Sequence, residues 1–258
     1  VRFFVGFLAI VPLALMFEAK KLKKEFKFDT KTFVILSFLI GLSLFLGSAL
    51  QQVALLYTDV ANAAFFTIFY VPMVPIIIFI FKKDFLHWSV WPSVILCLIG
   101  GYLLTNFQDA TVRLGDTLVV LGALFWSTHI IFTGMIVKKY NLPLTIGAIQ
   151  TLLVALFSFI IGLFSEEFVI DNILNEIDSI LYAGILSGGF AFVLQIYAQR
   201  NITPAPAAII FSLEGVFATI AAWFLLNQIL GINNLLGCFF ILSGVLLSQL
   251  VPLIRKAS

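Results

Sequence analysis

Residues 204–226 read PAPAAIIFSLEGVFATIAAWFLL, an apolar run interrupted near its centre by one carboxylate, Glu214. A run of this length can cross a bilayer as an α-helix, which takes about 20 predominantly apolar residues. The whole 258-residue chain has the same character, because 62 % of its residues are hydrophobic and only 11 % are charged. A soluble domain has about 25 % charged residues, and a polar surface could not cover so large an apolar excess. The sequence therefore predicts a membrane protein that crosses the bilayer repeatedly.

Nine apolar runs have the length expected of transmembrane segments. They lie at roughly 1–17, 32–56, 61–81, 88–105, 115–137, 143–164, 179–198, 204–226 and 232–253. Within lipid each crossing must satisfy its own backbone hydrogen bonds, and a helix does so inside a single segment. The predicted fold class is therefore an all-α polytopic membrane protein with nine transmembrane helices in this chain.

Lysine and arginine residues gather in every second loop between these runs. The basic loop positions are Lys20, Lys21, Lys23, Lys24, Lys27, Lys31, Lys82, Lys83, Lys138, Lys139, Arg200, Arg255 and Lys256. Because basic loops favour the cytoplasmic side, we expect a cytoplasmic carboxyl terminus in a plasma membrane, which is the inner membrane if the source is bacterial. The same pattern places Val1 outside. We therefore expect an opening helix before Val1 and ten crossings in the parent protein, with a nine-span protein as the alternative.

Two stretches of the chain are similar in sequence. LQQVALLYTDVANAAF (50–65) aligns without a gap with LQIYAQRNITPAPAAI (194–209). The identical pairs, continued in the same register, are Leu50 and Leu194, Gln51 and Gln195, Ala54 and Ala198, Ala61 and Ala205, Ala63 and Ala207, Ala64 and Ala208, Leu98 and Leu242, Gly100 and Gly244, and Leu103 and Leu247. The shared register predicts an internal repeat.

The charge pattern predicts that the two copies cross the membrane in opposite directions. The run at 61–81 ends at a basic loop, whereas its counterpart at 204–226 begins from one. Inverted repeats of this kind are characteristic of secondary transporters, which bind their substrate near the middle of the membrane. We predict a first repeat over residues 1–105, lacking its opening helix, and a second over residues 115–253.

These residues resemble the EamA branch of the drug/metabolite transporter superfamily. The most specific match is LQIYAQRNITPAPAAIIFSLEGVFATIAAWFLL (194–226), and GDTLVVLGALFWSTHIIFTGMIVKKYN (115–141) is similar to the opening helix of that family's second half. The resemblance, which covers essentially the whole chain, implies a ten-helix carrier of small metabolites, amino acids or amphiphilic compounds, often moving them outward. The chain departs from the family pattern at Gly215, where proline is frequent, and at Asn227-Gln228, where Gly-Glu is frequent.

Ionisable side chains inside the apolar runs are the first candidate site residues, because such groups usually face a protein interior or a cavity. They are Arg2, His129 and Glu214. Glu214 is predicted to bind the amine of a substrate or to exchange a proton, and the alternative is a carboxyl group that fixes helix contacts. His129 is a candidate proton relay or a structural histidine. Arg2 either meets Glu214 or a substrate carboxylate, or extends to the outer interface.

Uncharged polar and aromatic residues complete the candidate site. Gln51, its repeat mate Gln195 and Gln150 either line the transport path or make hydrogen bonds between helices. Tyr70, which is the repeat mate of Glu214, and Trp126 are predicted to form aromatic walls of a pocket.

The predicted function is secondary transport of amino-acid-like or amphiphilic compounds by alternating access, with export as the expected direction. The sequence has no zinc-ligand spacing and no HExxH, GxSxG or Walker motif, so we predict neither an enzyme nor a bound cofactor or metal. The expected partners are a small-molecule substrate and the lipid bilayer, with a homodimer as the candidate assembly and no nucleic acid. The alternatives are a non-transporting scaffold or sensor that retains the fold, and a passive channel.

Three further stretches carry structural expectations. The basic stretch AKKLKKEFKFDTK (19–31) is expected to be a solvated loop near anionic headgroups. GILSG (184–188) is expected to let two helices approach closely. Cys97 and Cys238 both lie in apolar runs and are expected to be thiols rather than a disulfide.

Overall fold

The computed structural model of the protein describes residues 1–82, 86–105, 113–165, 170–227 and 229–257. Across these ranges the regular structure is helical, with no β-strand. The prediction of an all-α polytopic membrane protein is confirmed. Lys83, one of the basic loop residues, and Gln228, at which the chain departs from the family pattern, lie outside the described residues.

Twelve α-helices and one π-helix make up the described part of the chain. They are α1 (Arg2–Ala54), α2 (Val60–Thr67), α3 (Tyr70–Lys82), α4 (Val90–Thr105), α5 (Leu114–Tyr140), α6 (Pro143–Ser165), α7 (Ile170–Asn175), α8 (Ile177–Tyr182), the π-helix (Ala183–Ala191), α9 (Phe192–Ala198), α10 (Pro204–Phe211), α11 (Leu213–Leu226) and α12 (Ile232–Ala257).

Within the described ranges, eight helical stretches are long and apolar enough to cross a membrane. They are Arg2–Lys23, Asp29–Ala54, Val60–Phe81, Leu114–Tyr140, Pro143–Phe164, Ile177–Ala198, Pro204–Leu225 and Ile232–Pro252. A ninth, shorter apolar helix is Val90–Thr105. Each of the nine predicted runs therefore coincides with an apolar helix, because hydropathy over about 20 residues is the property that the bilayer selects.

The expectation that residues 19–31 form a loop is wrong. Helix α1 continues through this stretch and departs from helical geometry only at Asp29 (φ −156°, ψ 64°). Lysine, leucine and glutamate are good helix formers, so a basic composition does not by itself interrupt the helix. One change of direction at Asp29 separates the two spans of α1.

The chain divides into two compact units, each assembled from two distant segments. Unit 1 comprises Val1–Leu46 and Phe132–Ile202, and unit 2 comprises Gly47–Ile131 and Thr203–Ser258. Each unit therefore takes residues from both predicted repeats. The bounds of the two repeats rest on the sequence alignment alone, and they stay a prediction.

In unit 1 the π-helix packs closely against the beginning of α1. A Cβ atom at Gly6 would lie 2.9 Å from the carbonyl oxygen of Gly184 and 3.1 Å from the carbonyl carbon of Gly188. Backbone therefore touches backbone, which only glycine permits at this separation. The two glycines of GILSG thus contact another helix, as expected from their spacing.

Glu18 of unit 1 caps the amino terminus of α6 from a distant part of the chain. Its Oε1 atom accepts a hydrogen bond from the backbone N–H of Leu144 at 3.1 Å, and its Oε2 atom accepts one from that of Thr145 at 2.8 Å. The first N–H groups of a helix have no partner within the helix, and a carboxylate also interacts favourably with the helix dipole there. Glu18 is buried, so water cannot easily replace it.

We expect Glu18→Ala to lower the free energy of unfolding by about 1–2 kcal/mol, because two backbone donors lose their acceptor. Thermal unfolding of the detergent-solubilised protein would measure this change. Glu176→Ala is the matched control, since Glu176 is exposed and stands at the start of α8 without a side-chain capping bond. The control should change stability by less than about 0.5 kcal/mol. Equal effects of the two substitutions would contradict the capping role.

In unit 2 helices α4 and α12 pack along a line of small residues. A Cβ atom at Gly100 would lie 2.7 Å from the carbonyl oxygen of Gly237, and one at Gly244 would lie 2.8 Å from that of Ser93. Gly100 in α4 thus meets Gly237 in α12, whereas Ser93, earlier in α4, meets Gly244, later in α12. The two helices therefore run antiparallel. Cys97 lies in the same contact, 3.0 Å from a Cβ atom at Gly244, as a free thiol.

Candidate functional site

Two helices of unit 2 are broken at matching positions. Helix α2 is followed by Ile68 (φ −59°, ψ −17°) as its carboxyl-terminal cap, and α10 is followed by Ser212 (φ −61°, ψ −15°) in the same role. The residues that precede them, Asp59 and Thr203, are also alike, with φ −74° in both and ψ of 150° and 154°. In the register of the two similar stretches, Asp59 corresponds to Thr203 and Ile68 to Ser212. Paired interruptions of this kind mark the binding region in transporters built from repeats.

The first break lies between α2 and α3 and tightens the helix for one turn. The N–H of Ile68 donates to the carbonyl oxygen of Phe65 at 3.1 Å, and that of Val71 donates to the carbonyl of Ile68 at 2.9 Å. These are the three-residue steps of a 3₁₀ turn, which within a helix often marks a hinge. Tyr70, the first residue of α3, is buried, and its carbonyl oxygen accepts a bond from Ser127 Oγ at 3.3 Å.

The second break lies between α10 and α11. Ser212 Oγ donates to the carbonyl oxygen of Ile209 at 2.6 Å and lies 3.4 Å from Cys97 Sγ. The N–H of Gly215 donates to the carbonyl oxygen of Ser212 at 3.2 Å, another three-residue step. A Cβ atom at Gly215 would be 3.2 Å from Leu104 Cδ1, so this position packs tightly against α4.

Glu214 stands directly after the second break and presents an unpaired carboxylate. Its side chain is exposed, not enclosed, and it makes neither a hydrogen bond nor an ion pair within the described ranges. One turn and two turns further along α11, Ala218 and Ala221 are also exposed, and their small size leaves room beside the carboxylate. Glu214 and the buried Tyr70 interact electrostatically. The structure thus brings these two repeat mates into one neighbourhood of unit 2.

The other predicted site residues are divided between the units. In unit 2, Trp126 is half-buried, and its ring contacts both Gly47 and the fully buried His129, whose ring centroid is 6.1 Å away. In unit 1, Gln150 is buried and Gln195 is half-buried. Arg2, also in unit 1, is exposed and lies over the ring of Phe3 at 5.0 Å.

The side chain of Gln51 donates a hydrogen bond to α2, the helix that precedes the first break. Its Nε2 atom donates to Thr67 Oγ1 at 3.1 Å, and Thr67 Oγ1 donates to the carbonyl oxygen of Ala63 at 2.7 Å. Gln51 lies in the last turn of the second span of α1, so this pair ties that span to α2. The half-buried amide therefore has a structural partner, whichever of its two predicted roles it has.

A double-mutant cycle tests the Gln51 contact. We expect Gln51→Leu and Thr67→Val to show a coupling of about 0.6 kcal/mol in the free energy of unfolding, which is typical of hydrogen bonds within membrane proteins. Thermal unfolding of the wild type, both single variants and the double variant supplies the four values. Zero coupling combined with a loss of transport would instead assign Gln51 to the transport path.

Sequence reasoning missed a polar cluster at the beginnings of α2 and α5. The buried carboxylate of Asp116 accepts hydrogen bonds from Thr58 Oγ1 and from the backbone N–H of Arg113, the latter at 2.8 Å. The Arg113 guanidinium pairs with Asp59 at 2.6 Å. Their contacts connect positions more than fifty residues apart, which no local pattern could have indicated.

Comparison with known proteins establishes the class to which this arrangement belongs. The chain belongs to the EamA-like transporter family, whose model matches residues 113–250. It is 30 % identical over 256 residues to an "Uncharacterized transporter" of Archaeoglobus fulgidus, covering 97 % of this chain and 75 % of that protein. It is 24 % identical to the "Uncharacterized transporter YoaV" of Bacillus subtilis, covering 99 % of this chain and 87 % of that one.

A solved crystal structure has the same fold. It superposes with a TM-score of 0.66 at 13 % sequence identity, covering 97 % of this chain and 96 % of the other. The family model and the relatives named above confirm the resemblance to the EamA branch. The protein is a multi-pass membrane transporter of that family.

Proposed function

We propose that the protein is a secondary transporter that moves small amino-acid-like or amphiphilic compounds outward by alternating access. In this proposal it lies in the plasma membrane with its carboxyl terminus in the cytoplasm. Glu214 is the residue that binds the amine of the substrate, or the proton exchanged for it. Tyr70 and Trp126 contribute aromatic surface, and Gln51, Gln150, Gln195 and His129 are the polar residues assigned to the path.

The observation that carries the proposal is the unpaired carboxylate of Glu214. A charged group inside a membrane span costs several kcal/mol unless it is paired, hydrated or neutralised. Among the described residues Glu214 has no basic partner and no hydrogen-bond donor. Binding of an external cation or a proton would therefore offset the cost of this unpaired charge. The side chains of Ala218 and Ala221 are too small to obstruct its approach.

The matched register of unit 2 supports alternating access. In the predicted repeat, Gly100 corresponds to Gly244 and Ser93 corresponds to Gly237. Replacing each residue by its repeat counterpart therefore converts the contact of Gly100 with Gly237 into the contact of Gly244 with Ser93. Contacts across an interface with twofold symmetry are related in the same way. An inverted pair of repeats can exchange conformations and so open a site first to one side and then to the other.

The charge distribution favours a cation or a zwitterion over an anion. Anionic groups such as phosphate are usually held by several Lys or Arg side chains. In the described spans these residues lie near the ends, as Arg2, Lys23 and Lys139 do, while Glu214 follows the break within the span Pro204–Leu225. The substrate we propose therefore carries an amine beside an apolar or amphiphilic body.

Counterflow in proteoliposomes tests the proposed mechanism. Vesicles preloaded with an unlabelled candidate, drawn from amino acids and lipophilic amines, should accumulate the labelled form transiently and saturably. Flux that rises without saturation and shows no counterflow would identify a passive channel. Flux no greater than that of empty vesicles across the whole panel would favour the scaffold or sensor alternative.

A further inference from the structure

We propose that unit 1 bears a surface that binds anionic phospholipid headgroups. This surface, termed the basic platform, consists of Lys20, Lys23 and Lys31. All three side chains are exposed, and none takes part in an ion pair within the described residues. Lys20 and Lys23 end the first membrane span, and Lys31 begins the second. Consecutive spans meet the same membrane boundary, so the three ammonium groups lie at the level of the headgroups.

The two acidic residues whose side chains the structure describes beside the platform, Glu18 and Asp29, are engaged by the protein itself. Both carboxylate oxygens of Glu18 accept backbone N–H groups of α6. The carboxylate of Asp29 pairs with Lys139 and also accepts the N–H of Thr32 at 3.2 Å. These acids are therefore occupied, and they compete weakly for the lysines. The exposed charge of the described platform is positive.

Contacts with the rest of unit 1 fix the platform in place. Lys21 Nζ donates to the carbonyl oxygen of Asn141 at 2.8 Å, and the hydroxyl of Tyr140 donates to the carbonyl of Asp29 at 3.1 Å. Leu22 packs on the hydrophobic cluster that contains Tyr140. Because the backbone is helical and anchored on both sides of the bend, the lysines lose little backbone entropy when they bind.

The arrangement fits a lipid leaflet better than one dissolved anion. Two lysines lie on one side of the bend at Asp29 and the third lies on the other, so the charges are spread along the boundary. Each is a flexible point charge and not a bidentate fork. Near an anionic leaflet each lysine contributes about 1 kcal/mol, which corresponds to a roughly fivefold preference for anionic over zwitterionic lipid.

Lipid enrichment around the reconstituted protein tests the proposal. The whole chain is placed in nanodiscs of phosphatidylcholine with a minor fraction of phosphatidylglycerol, and electron spin resonance of spin-labelled forms of each lipid reports the fraction held at the protein surface. We expect Lys20→Gln, Lys23→Gln and Lys31→Gln together to reduce the phosphatidylglycerol preference about a hundredfold. The three corresponding Lys→Arg substitutions should retain it, and Arg113→Gln, outside the platform, should leave it unchanged.

Several results would overturn the proposal. They are an unchanged preference in the triple Gln variant, an equal loss in the triple Arg variant, and loss of the wild-type preference in millimolar inorganic phosphate, which would indicate a free-anion site. Single substitutions at Lys20 and at Lys31 keep the test decisive if the triple variant folds poorly. Each single substitution should lower the preference about fivefold without changing the unfolding temperature. The readout does not depend on transport, so its failure is separate from failure of the proposed function.

Discussion

Replacing Glu214 by Gln is expected to reduce transport per folded molecule at least about tenfold, which equals 1.4 kcal/mol of lost interaction with the bound cation. The amide has nearly the same shape as the carboxylate but carries no negative charge, so it can neither hold an ammonium group nor exchange a proton. Saturable uptake in proteoliposomes, normalised to the monodisperse protein recovered, measures the effect. Because Glu214 has no partner among the described side chains, the substitution should leave stability nearly unchanged.

Two controls separate charge from general damage. Glu214→Asp keeps the charge on a shorter side chain and should retain part of the activity. Glu176→Gln removes an exposed carboxylate between α7 and α8 in unit 1, and not at either of the two breaks of unit 2, and should transport normally. If Glu214→Gln lowers only the yield of folded protein, while uptake per folded molecule equals that of the wild type, the assignment of Glu214 to the site is wrong.

The second large effect is expected from enlarging the contact between α4 and α12. A Cβ atom at Gly100 would lie 2.6 Å from Ile241 Cγ1 and 2.7 Å from the carbonyl oxygen of Gly237. The side chain of Ile241 can rotate, but the backbone of Gly237 cannot move without displacing α12. Gly100→Ala should therefore cost roughly 1–3 kcal/mol of stability, and Gly100→Leu should leave little folded protein.

Unfolding temperature and gel-filtration profile in detergent would measure the Gly100 variants. Gly231→Ala is the matched control, since a Cβ atom there would meet only Asn234 Oδ1, at 3.4 Å. Its effect should stay within about 0.5 kcal/mol. A Gly100→Ala protein as stable as the control would show that the contact between the two helices can widen at little cost.

The membrane spans could be predicted from sequence, whereas the breaks within them could not. Hydropathy integrates over a whole span, so nine runs were recognisable even though one of them, Val90–Thr105, is short. A break occupies one turn, and FTIFYV around Ile68 contains neither glycine nor proline to indicate it. The repeat alignment did connect Tyr70 with Glu214, because identical alanines set the register nearby.

Contacts between distant segments account for the remaining differences. Glu18 precedes a basic stretch and gave no sign that it caps α6, because its partners Leu144 and Thr145 are far away in the chain. The basic stretch itself was assigned to a loop on composition alone. Its helical state depends on the intrinsic helix propensity of its residues and on the hydrogen bonds made by Lys21 and Tyr140. The propensity can be read from the sequence, whereas the hydrogen bonds join distant segments and become visible only in the folded structure.

The π-helix at Ala183–Ala191 has a consequence for how chains of this kind can differ in length. A π-helix accommodates an additional residue compared with an α-helix that covers the same rise. Deleting one residue there would let the segment wind as an ordinary α-helix. Ile196 in the following helix α9 would still be directed into the hydrophobic cluster of unit 1. Single-residue gaps in alignments of related chains should therefore fall in this segment, where they leave the orientation of Gln195 unchanged.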